Sequence, residues 1–510
     1  MKVLREKGYA EPLKRYIASG KPYMGICIGM QTLCESSEES DEPGLGVIPG
    51  SCRKFTSTSK TVPHIGWNGA IPLKASGESV EIDESIRYGF VDGTSYYFVH
   101  SYQLPFDESL SEWALTATQY GDETFISTAQ KGNVLATQFH PEKSGQAGQN
   151  ILHAWLSQTG VITPSLTHTI PISSKREALK TNGLTKRVVA CLDVRTNDAG
   201  DLVVTKGDQY DVRETSSTGA VRNLGKPVDL ARRYYDEGAD EIAFLNITSF
   251  RSSALQDQPM LEVVAKSAET VFVPLTIGGG IRDTVDPDGT KRSAVEVAGA
   301  YFRAGADKVS IGSDAVFAVE EMLQSGSKSG KTGIEMIAYR YGNQAVVVSV
   351  DPKRVYAKSR EEVDQKHQAC VVDLSDSMGK KEEGPNGERY CWYQCTVSGG
   401  REVRDLDVVQ LCQGVQALGA GEILLNSVDR DGSKAGFDLR LVNLVKSSVS
   451  IPVIASSGAG KPEDFEEVFV KTNVEAALAA GIFHRQEVPL QDVKEHMRSV
   501  GVQTRKDLQS

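Results

Sequence analysis

The segment KRVVACLDV, residues 186–194, is an apolar run that ends in a carboxylate. Seven similar runs follow it, each separated from the next by enough chain for a helix: EIAFLNI (241–247), VPLTIGG (273–279), KVSIG (308–312), VVVSVD (346–351), EILLNS (422–427), IPVIASS (451–457) and AALAAG (476–481). Strands that alternate with helices form parallel sheets, and eight such units are typical of a (β/α)8 barrel. The sequence therefore predicts an α/β barrel over residues 185–510.

The second half of this barrel repeats the first. GADEIAFLNITS (238–249) matches GAGEILLNSVD (419–429), and VPLTIGGGI (273–281) matches IPVIASSGAG (451–460). Such self-similarity predicts two related half-barrels. Residues 352–400, rich in Lys, Glu and Gly, are predicted to be a long loop in the second half.

Asp193 and Asp351 are candidate catalytic residues because each ends a strand run at the side of the barrel where active sites lie. Their repeat relationship predicts that they face each other across the barrel mouth, where one can accept a proton and the other donate one. The alternative is that each aspartate only caps the next helix. The symmetry of the pair favours the catalytic interpretation.

Glycine-rich segments end four strand runs: GGGI (278–281), SIGS (310–313), SSGAG (456–460) and AAGIF (479–483). Backbone N–H groups near helix N-termini bind phosphate without basic side chains. A tight turn would explain any one of these segments alone, but their presence in both halves predicts a substrate with a phosphate at each end. The candidate phosphate ligands are Gly279, Gly280, Gly312, Ser313, Ser457, Gly458 and Gly481.

Four charged residues begin strand runs at the opposite end of the barrel: Arg187, Glu241, Lys308 and Glu422. Spacing alone favours surface charges that close the barrel bottom. Because two carry each sign, they would also suit a polar plug or gate.

Residues 1–160 contain a second candidate site. In GICIGMQ (25–31) a strand ends at Cys27 and a helix begins, which exposes the thiol at a sharp turn and favours its thiolate. In QFHPEKS (138–144), His140 and Glu142 lie on one face of an extended segment. We therefore expect a nucleophile, a base and an orienting carboxylate, although a packed cysteine and a loop histidine are the alternative for each alone.

The composition excludes several classes of protein. The net charge of −11 argues against a general binder of nucleic acid or anionic membranes. Eight scattered cysteines fit a reducing compartment, and Cys391 and Cys395 lack zinc-site partners, so we expect neither a structural metal nor a cofactor. No apolar stretch approaches the ~18 residues of a membrane span. Residues 161–184, polar and without periodicity, are predicted to be a linker.

These motifs carry a resemblance. Residues 1–160 resemble class I glutamine amidotransferases through KPYMGICIGMQ (21–31), PHIGWN (63–68), YFVHSY (97–102) and QFHPEKS. The barrel resembles the cyclase of imidazole glycerol phosphate synthases through KRVVACLDV, TKGDQYD (205–211), GGGIRD (278–283), GADKVSIGSDA (305–315), LLNSVDRDGS (424–433) and IASSGAG (454–460). Together they match the fused bifunctional enzymes of histidine biosynthesis in fungi and plants.

The resemblance implies that glutamine is hydrolysed at Cys27 and that ammonia crosses the barrel to a bisphosphorylated ribotide. It also implies that Gln31, Ser101 and Tyr102 hold glutamine, that Lys206 lies on an active-site loop, and that Asp431 and Gly432 bind the ribotide. Arg187, Glu241, Lys308 and Glu422 become an ammonia gate, which reverses the interpretation from spacing. We expect a monomer in the cytoplasm, or in the plastid of a plant.

In that family a Gly-rich PGVG-type turn, which helps to form the oxyanion hole, precedes the segment VLREKGYAEPLKRYIASG (3–20). Its absence here predicts an incomplete amidotransferase domain with weakened glutaminase activity. Two alternatives stay open: a barrel isomerase of the same pathway, which needs no amidotransferase, and a phosphate-ligand sensor with a degenerate amidotransferase domain.

Overall fold

The computed structural model describes residues 1–56, 60–73, 90, 93–157, 183–196, 202–205, 226–247, 258–286 and 288–505. The chain divides into two compact units, Met1–Thr185 with Arg505–Ser510 (unit 1) and Lys186–Thr504 (unit 2). Lys206 and nearly all of the predicted linker lie outside the described residues.

Unit 1 is an α/β unit built around a mixed sheet. Its elements are α1 (Lys2–Glu6), α2 (Ala10–Ala18), β1 (Tyr23–Ile26), α3 (Ile28–Gln31), β2 (Cys34–Ser37), β3 (Ile48–Lys54), β4 (His64–Gly69), β5 (Ile71–Pro72), β6 (Ser95–His100), β7 (Tyr102–Gln103), β8 (Ala114–Tyr120), β9 (Glu123–Lys131), β10 (Val134–Thr137) and α4 (Gly145–Ser157), with 3-10 turns at Glu108–Leu110 and Pro141–Lys143.

The main sheet of unit 1 has the strand order β1-β10-β9-β8-β5, and smaller sheets pair β2-β3-β7 and β4-β6. Strands β1 and β10 are parallel neighbours, with Ile26 opposite Thr137. Because parallel strands end at the same sheet edge, the residues that follow β1 and β10 come close together.

Unit 2 follows the alternation that the sequence predicts. Its elements are β11 (Arg187–Thr196), β12 (Leu202–Thr205), α5 (Pro227–Asp236), β13 (Glu241–Asn246), α6 (Gln258–Ala268), β14 (Leu275–Gly278), β15 (Thr284–Val285), β16 (Lys291–Arg292), α7 (Ala294–Ala304), β17 (Lys308–Ile311), α8 (Ser313–Ser325), α9 (Gly333–Tyr341), β18 (Val346–Val350), β19 (Pro352–Ala357), β20 (Val372–Asp373), β21 (Tyr390–Val397), β22 (Glu402–Asp407), α10 (Val408–Leu418), β23 (Glu422–Asn426), α11 (Leu439–Ser448), β24 (Val453–Ser456), α12 (Pro462–Thr472), β25 (Ala476–Ala479), α13 (Gly481–His484) and α14 (Leu490–Ser499), with 3-10 turns at Asn343–Ala345, Arg360–Glu362 and Gln365–Cys370.

Eight parallel strands of the described part of unit 2 close into a barrel in the order β11-β13-β14-β17-β18-β23-β24-β25. The pairing of β25 with β11, with Ala476 opposite Arg187, closes the ring. All eight sequence-predicted strands are therefore confirmed. Their Val, Ile and Ala side chains are buried on both faces, as expected for parallel strands covered by helices.

One apolar cluster fills the barrel interior. Its members come from both half-barrels: Val189, Cys191, Ala243, Val347, Leu424, Ile454, Ala476 and Leu478. Layers of side chains from alternate strands fill the interior of such barrels, so this is a packed core and not an open pore.

Helix ends in unit 2 are set by local sequence. Ser293 and Glu296 form a capping box at the start of α7, as Thr332 and Glu335 do for α9. Gly305 ends α7 with φ 113°, a conformation that suits glycine. The chain then turns back into β17.

The prediction of a long loop over residues 352–400 is wrong. The segment contains β19, β20 and β21, which form an antiparallel sheet with β22. In β21 (YCWYQCTV), the half-buried Tyr390, Trp392 and Gln394 alternate with the buried Cys391, Tyr393 and Cys395. This period-two pattern is typical of a half-buried strand, and the surrounding Lys, Glu and Gly obscured it.

Candidate active sites

Cys27 lies at the turn between β1 and α3 of unit 1. Its backbone has φ 49°, and its N–H donates to the Thr137 carbonyl at 2.7 Å. A Cβ at Gly25 would lie 2.7 Å from the Gly29 carbonyl oxygen, so the turn needs a residue without a side chain at position 25. The thiol is partly exposed at this turn.

His140 follows β10, the parallel neighbour of β1, and its imidazole interacts with the Cys27 side chain. The His140 Nδ1 lies 2.7 Å from Oε1 of Glu142. Burial alone would lower the pKa of the His140 imidazole, but Cys27 and Glu142 raise that pKa well above its ordinary value. Burial would raise the pKa of Glu142, but His140 lowers it. The structure therefore brings the three predicted residues together.

The remaining predicted residues of unit 1 meet beside this cluster. Gln31 Nε2 donates to the Tyr102 carbonyl at 2.9 Å and to Gln138 Oε1 at 3.0 Å. Ser101, partly exposed, precedes Tyr102 and accepts a hydrogen bond from the Phe55 N–H at its carbonyl. Sequence reasoning missed Gln138, whose Nε2 donates to the Cys27 sulfur at 3.5 Å. Its place in QFHPEKS, two residues before His140, is the signal that could have found it.

Two buried histidines support the Tyr102 carbonyl. A carbonyl only accepts, so His100 Nδ1 donates to it at 2.8 Å. His100 Nε2 then accepts from His64 Nδ1 at 3.1 Å, which leaves His64 Nε2 as the acceptor for Asn68 Nδ2 at 3.4 Å. Burial lowers the pKa of His100 to about 3 and that of His64 well below its ordinary value, in keeping with these neutral tautomers.

Unit 2 holds a cavity of about 590 Å³, within the usual size range for small-molecule sites. Every sequence-predicted site residue at the barrel mouth that the structure describes lines it: Asp193, Asp351, Gly279, Gly280, Gly312, Ser313, Asp431, Gly432, Ser457, Gly458 and Gly481. The two half-barrel repeats thus contribute to one site.

Neither candidate catalytic aspartate caps a helix. Asp193 lies within β11, which continues to Thr196, and Asp351 leads directly into β19. The capping alternative is therefore wrong for both residues. Asn426 Nδ2 donates to Asp351 Oδ1 at 2.7 Å. Burial, aided by the charge of Asp431, raises the pKa of Asp351 despite the opposing effect of Asn426 and Ser349.

The glycine-rich strand ends bend sharply at the cavity. Gly279 and Gly280 have φ 96° and 73°, and Ser457 has φ 76°, which strains a residue with a side chain. Gly312 precedes the first turn of α8, and SSGAG precedes α12, as expected for backbone donors near helix N-termini.

The expectation that GGGI lies near a free helix N-terminus is wrong. The hairpin β15-β16 intervenes, and α7 begins only at Ala294. The Ala294 N–H donates to Oδ1 of Asp283 at 2.7 Å, so a carboxylate already occupies this donor. Gly279 and Gly280 line the cavity from the turn that they form directly after β14.

At the other end of the barrel, the four predicted gate residues form a closed ring of ion pairs. Arg187 Nη1 lies 2.7 Å from Glu241, its Nη2 contacts Glu422, and Lys308 Nζ lies 2.6 Å from each glutamate. All four side chains are fully buried, so the surface-charge interpretation is wrong. Burial would raise the pKa of Glu241, but Lys308 and Arg187 hold it below its ordinary value.

Other described residues of the cavity were not predicted from the sequence. Four cations line the cavity from separate loops: Arg282, Arg401, Lys434 and Arg485. Asn246 and Asn426, which end β13 and β23, also line it. The repeat could have identified the asparagines, because FLNITS and LLNSVD place an Asn at the same position in both halves.

Within the described residues, no group of three or more acidic, His or Cys side chains is arranged to bind a metal ion. The same residues include no helix with the length and apolar character of a membrane span.

Comparisons with known proteins agree with this arrangement of two sites. A family model described as "Histidine biosynthesis protein" matches residues 187–489, and one described as "Glutamine amidotransferase class-I" matches residues 5–158. The chain is 58% identical over 503 residues to imidazole glycerol phosphate synthase hisHF of Schizosaccharomyces pombe. The matched region covers 97% of this chain and 88% of that protein. The chain belongs to the fused hisHF imidazole glycerol phosphate synthases.

Two further hisHF proteins give the same result. The synthase of Emericella nidulans is 54% identical, with 99% of this chain and 89% of that protein covered. The Arabidopsis thaliana protein, named chloroplastic, is 53% identical, with 99% and 81% covered. The chain is thus a glutamine amidotransferase joined to a cyclase of histidine biosynthesis, which favours the bifunctional enzyme over the isomerase and sensor alternatives.

Proposed function

We propose that this hisHF synthase hydrolyses glutamine in unit 1 and uses the ammonia in unit 2. There, N′-(5′-phosphoribulosyl)formimino-aminoimidazole carboxamide ribotide becomes imidazole glycerol phosphate and aminoimidazole carboxamide ribotide. The observation that carries the proposal is the single cavity lined by Asp193, Asp351 and the glycine-rich strand ends of both half-barrels. A substrate with two phosphates and a reacting centre between them suits such a site.

In unit 1 the proposed nucleophile is the Cys27 thiolate, stabilised by the His140 imidazolium. Its sulfur attacks the carboxamide carbon of glutamine to give a tetrahedral intermediate. His140 then protonates the leaving nitrogen, and the departure of ammonia from this intermediate leaves a thioester. His140 then takes a proton from water, which hydrolyses the thioester to glutamate. Glu142 orients the imidazole through its bond to Nδ1. Gln31, Ser101 and Tyr102 bind the substrate glutamine in this proposal.

Ammonia is proposed to enter unit 2 through the ring of Arg187, Glu241, Lys308 and Glu422. The ring has no net charge, so an uncharged molecule meets no fixed excess charge there. The apolar barrel interior beyond it excludes ammonium more strongly than ammonia, because burying an unpaired charge is costly. A transient opening of the ring would be required, because its four ion pairs close it.

In the cavity, Asp193 and Asp351 are proposed to exchange protons with the reacting groups during ring closure and cleavage. The raised pKa of Asp351 suits a carboxyl group that both accepts and donates. The backbone donors of Gly279, Gly312, Ser457 and Gly458 are proposed to bind the phosphates. Lys206, Asp431 and Gly432 complete the proposed ribotide-binding set.

Two finer properties remain part of the proposal. The chain is proposed to act as a monomer, because one chain carries both activities. It is proposed to act in the cytoplasm, or in the plastid if it is of plant origin, since the Arabidopsis relative is named chloroplastic. Light scattering of the purified chain and microscopy of a tagged chain test these two points.

Steady-state turnover with glutamine or with ammonium salt tests the proposed coupling. Cys27→Ser should abolish glutamine-dependent synthesis and leave ammonia-dependent synthesis unchanged. Cys412→Ser, which alters a buried thiol of α10 that does not line the cavity, is the control that should retain glutamine-dependent synthesis. Glutamine-dependent synthesis by Cys27→Ser, or absence of ammonia-dependent synthesis in the wild type, would contradict the proposal.

A further inference from the structure

A segment that begins with β20 and ends before β21 packs on the loop that carries Asp431. We refer to residues 372–388 as the brace and to residues 427–438 as the β23 loop. Arg440, buried in the first turn of α11, donates to the Leu374 carbonyl at 2.8 Å, to Asp376 Oδ1 at 2.9 Å and to the Lys380 carbonyl at 3.2 Å. These bonds tie the brace to the helix that follows the β23 loop.

Glu382, in the brace, contacts two arginines at once. Its Oε2 accepts a hydrogen bond from Arg354 Nη1 at 2.6 Å, and its Oε1 accepts one from Arg430 Nη2. The Glu382 N–H donates to the Leu374 carbonyl at 3.0 Å, which fixes its backbone. Although burial favours the neutral carboxyl, Arg354 and Arg430 lower the pKa of Glu382, so its carboxylate is ionised at neutral pH.

Arg354 links Glu382 to both ends of the β23 loop. Its backbone N–H donates to Asp429 Oδ2 at 2.8 Å, and its Nε donates to Asp438 Oδ2 at 2.9 Å. Tyr393, in β21, also donates to Asp438, at 3.0 Å. The loop is thus fixed at its first and last turns, and Glu382 adds a contact at Arg430.

Arg430 precedes Asp431 and Gly432, both of which line the cavity. It also lies against the strand end after β24, because a Cβ at Gly458 would come within 3.2 Å of the Arg430 Cβ. Gly436, further along the same loop, donates from its N–H to the Gly458 carbonyl at 2.9 Å. The position of Arg430 therefore affects the loop next to two parts of the cavity wall.

We propose that Glu382 is a positioning residue for the cyclase reaction. By binding Arg354 and Arg430 together, it holds the β23 loop so that Asp431 and Gly432 face the bound ribotide. Glu382 itself is not a cavity-lining residue, so it acts through Arg430. This inference rests on the proposed cyclase site and assigns a function to the brace.

Glu382→Gln in the full chain tests the proposal by ammonia-dependent kinetics. The amide keeps the size of the side chain but loses the charge and one acceptor, so it no longer binds both arginines at once. The KM for the bisphosphorylated ribotide should rise about tenfold, whereas kcat should change less than threefold. A loss of folded protein would instead lower kcat and leave KM unchanged, and that result would overturn the proposal.

Glu383→Gln is the matched control, because Glu383 is the next residue and its side chain is exposed. Its KM should equal that of the wild type. Arg430→Met and the double variant Glu382→Gln/Arg430→Met should raise KM to the same extent as Glu382→Gln, because each of the three breaks the link from Arg354 through residue 382 to Arg430. Additive effects, or an unchanged KM in Glu382→Gln, would overturn the role of Glu382. Absence of ammonia-dependent synthesis in the wild type would instead contradict the proposed function.

Discussion

The side-chain amide of Gln138 donates a hydrogen bond to the sulfur of Cys27, with a nitrogen–sulfur distance of 3.5 Å. Gln138 is fully buried, and its backbone N–H donates to the Ser127 carbonyl at 2.8 Å. The side-chain amide of Gln31 donates a hydrogen bond to Oε1 of the same Gln138 amide. A fixed donor at a sulfur stabilises the thiolate over the thiol.

Gln138→Met should therefore weaken the glutaminase. The variant keeps the length of the side chain but removes the donor, and a hydrogen bond to a charged group contributes ~1.5–3 kcal/mol. We expect glutamine-dependent kcat to fall at least ~10-fold, since 1.4 kcal/mol is a factor of ten. The rate at which iodoacetamide alkylates Cys27 should also fall. Gln146→Met, at an exposed position of α4, is the control, and an unchanged alkylation rate in Gln138→Met would remove this role.

Asp193→Asn and Asp351→Asn should each lower ammonia-dependent turnover by at least ~10²-fold, because general acid–base catalysis contributes about that much. Binding of the ribotide, measured by calorimetry, should be retained, since the amide keeps the shape of the side chain. Asp288→Asn, on the exposed tip of the hairpin β15-β16, should behave as the wild type. Near-normal turnover in either cavity variant would exclude that aspartate from the mechanism.

The pH dependence of the cyclase should report on Asp351. An ordinary aspartate has a pKa near 3.9. Burial raises the pKa of Asp351, so its carboxyl group takes up a proton at a higher pH than an ordinary aspartate does. If Asp351 must be ionised, kcat falls as pH drops through this raised pKa. Asn426→Ala removes a hydrogen bond that favours the carboxylate, so the acid limb of kcat at constant free ammonia should move to still higher pH. An unmoved limb would show that another group controls it.

The barrel was predictable because its strands are buried on both faces. Continuous apolar runs such as VVACLD and VVVSVD are typical of parallel strands, and the repeat showed which runs are equivalent. Residues lining the cavity were found because strand ends carry such sites in this fold. Arg401 and Lys434 were not found, because loop geometry and not periodicity places them in the cavity.

Burial could not be predicted where tertiary pairing determines it. Spacing assigned Lys308 and Glu241 to the surface, because isolated charges are seldom fully buried. Their burial depends on four strands that bring opposite charges together, which no local pattern records. The sheet of β19–β22 was missed for a similar reason, since polar residues surround its alternating strand.

Unit 1 should lose stability in acid because of its buried histidines. His100 has its pKa lowered to about 3, whereas an unfolded histidine takes up a proton near pH 6.5. Below that pH the unfolded state binds more protons, so His100 destabilises the fold progressively down to about pH 3, by up to ~1.4 kcal/mol per pH unit. Hydrogen exchange of the β4 and β6 amides, corrected for intrinsic rates, measures this. His100→Asn should flatten the slope, whereas His153→Gln, at an exposed position of α4, should not.

Lys308 offers the sharpest test of the ion-pair ring. Its Nζ lies 2.6 Å from both Glu241 and Glu422, so Lys308→Met leaves two buried carboxylates with Arg187 as their remaining cation in the ring. Breaking a buried pair in this way costs ~3–5 kcal/mol. We therefore expect a less stable unit 2 and a ring that no longer closes.

If the ring controls ammonia transfer, an open ring should uncouple the two reactions. Lys308→Met should then form more glutamate than imidazole glycerol phosphate, because ammonia escapes before it reaches the cavity. The ratio of the two products, measured by chromatography at saturating glutamine, tests this. Lys471→Met, which removes an exposed ion pair with Glu467 on α12, should keep the ratio at one. The Ala variants of Arg187, Glu241 and Glu422 open the ring in three further ways. If these variants and Lys308→Met all keep a glutamate to imidazole glycerol phosphate ratio of one, the ring does not control ammonia transfer and has a structural role alone.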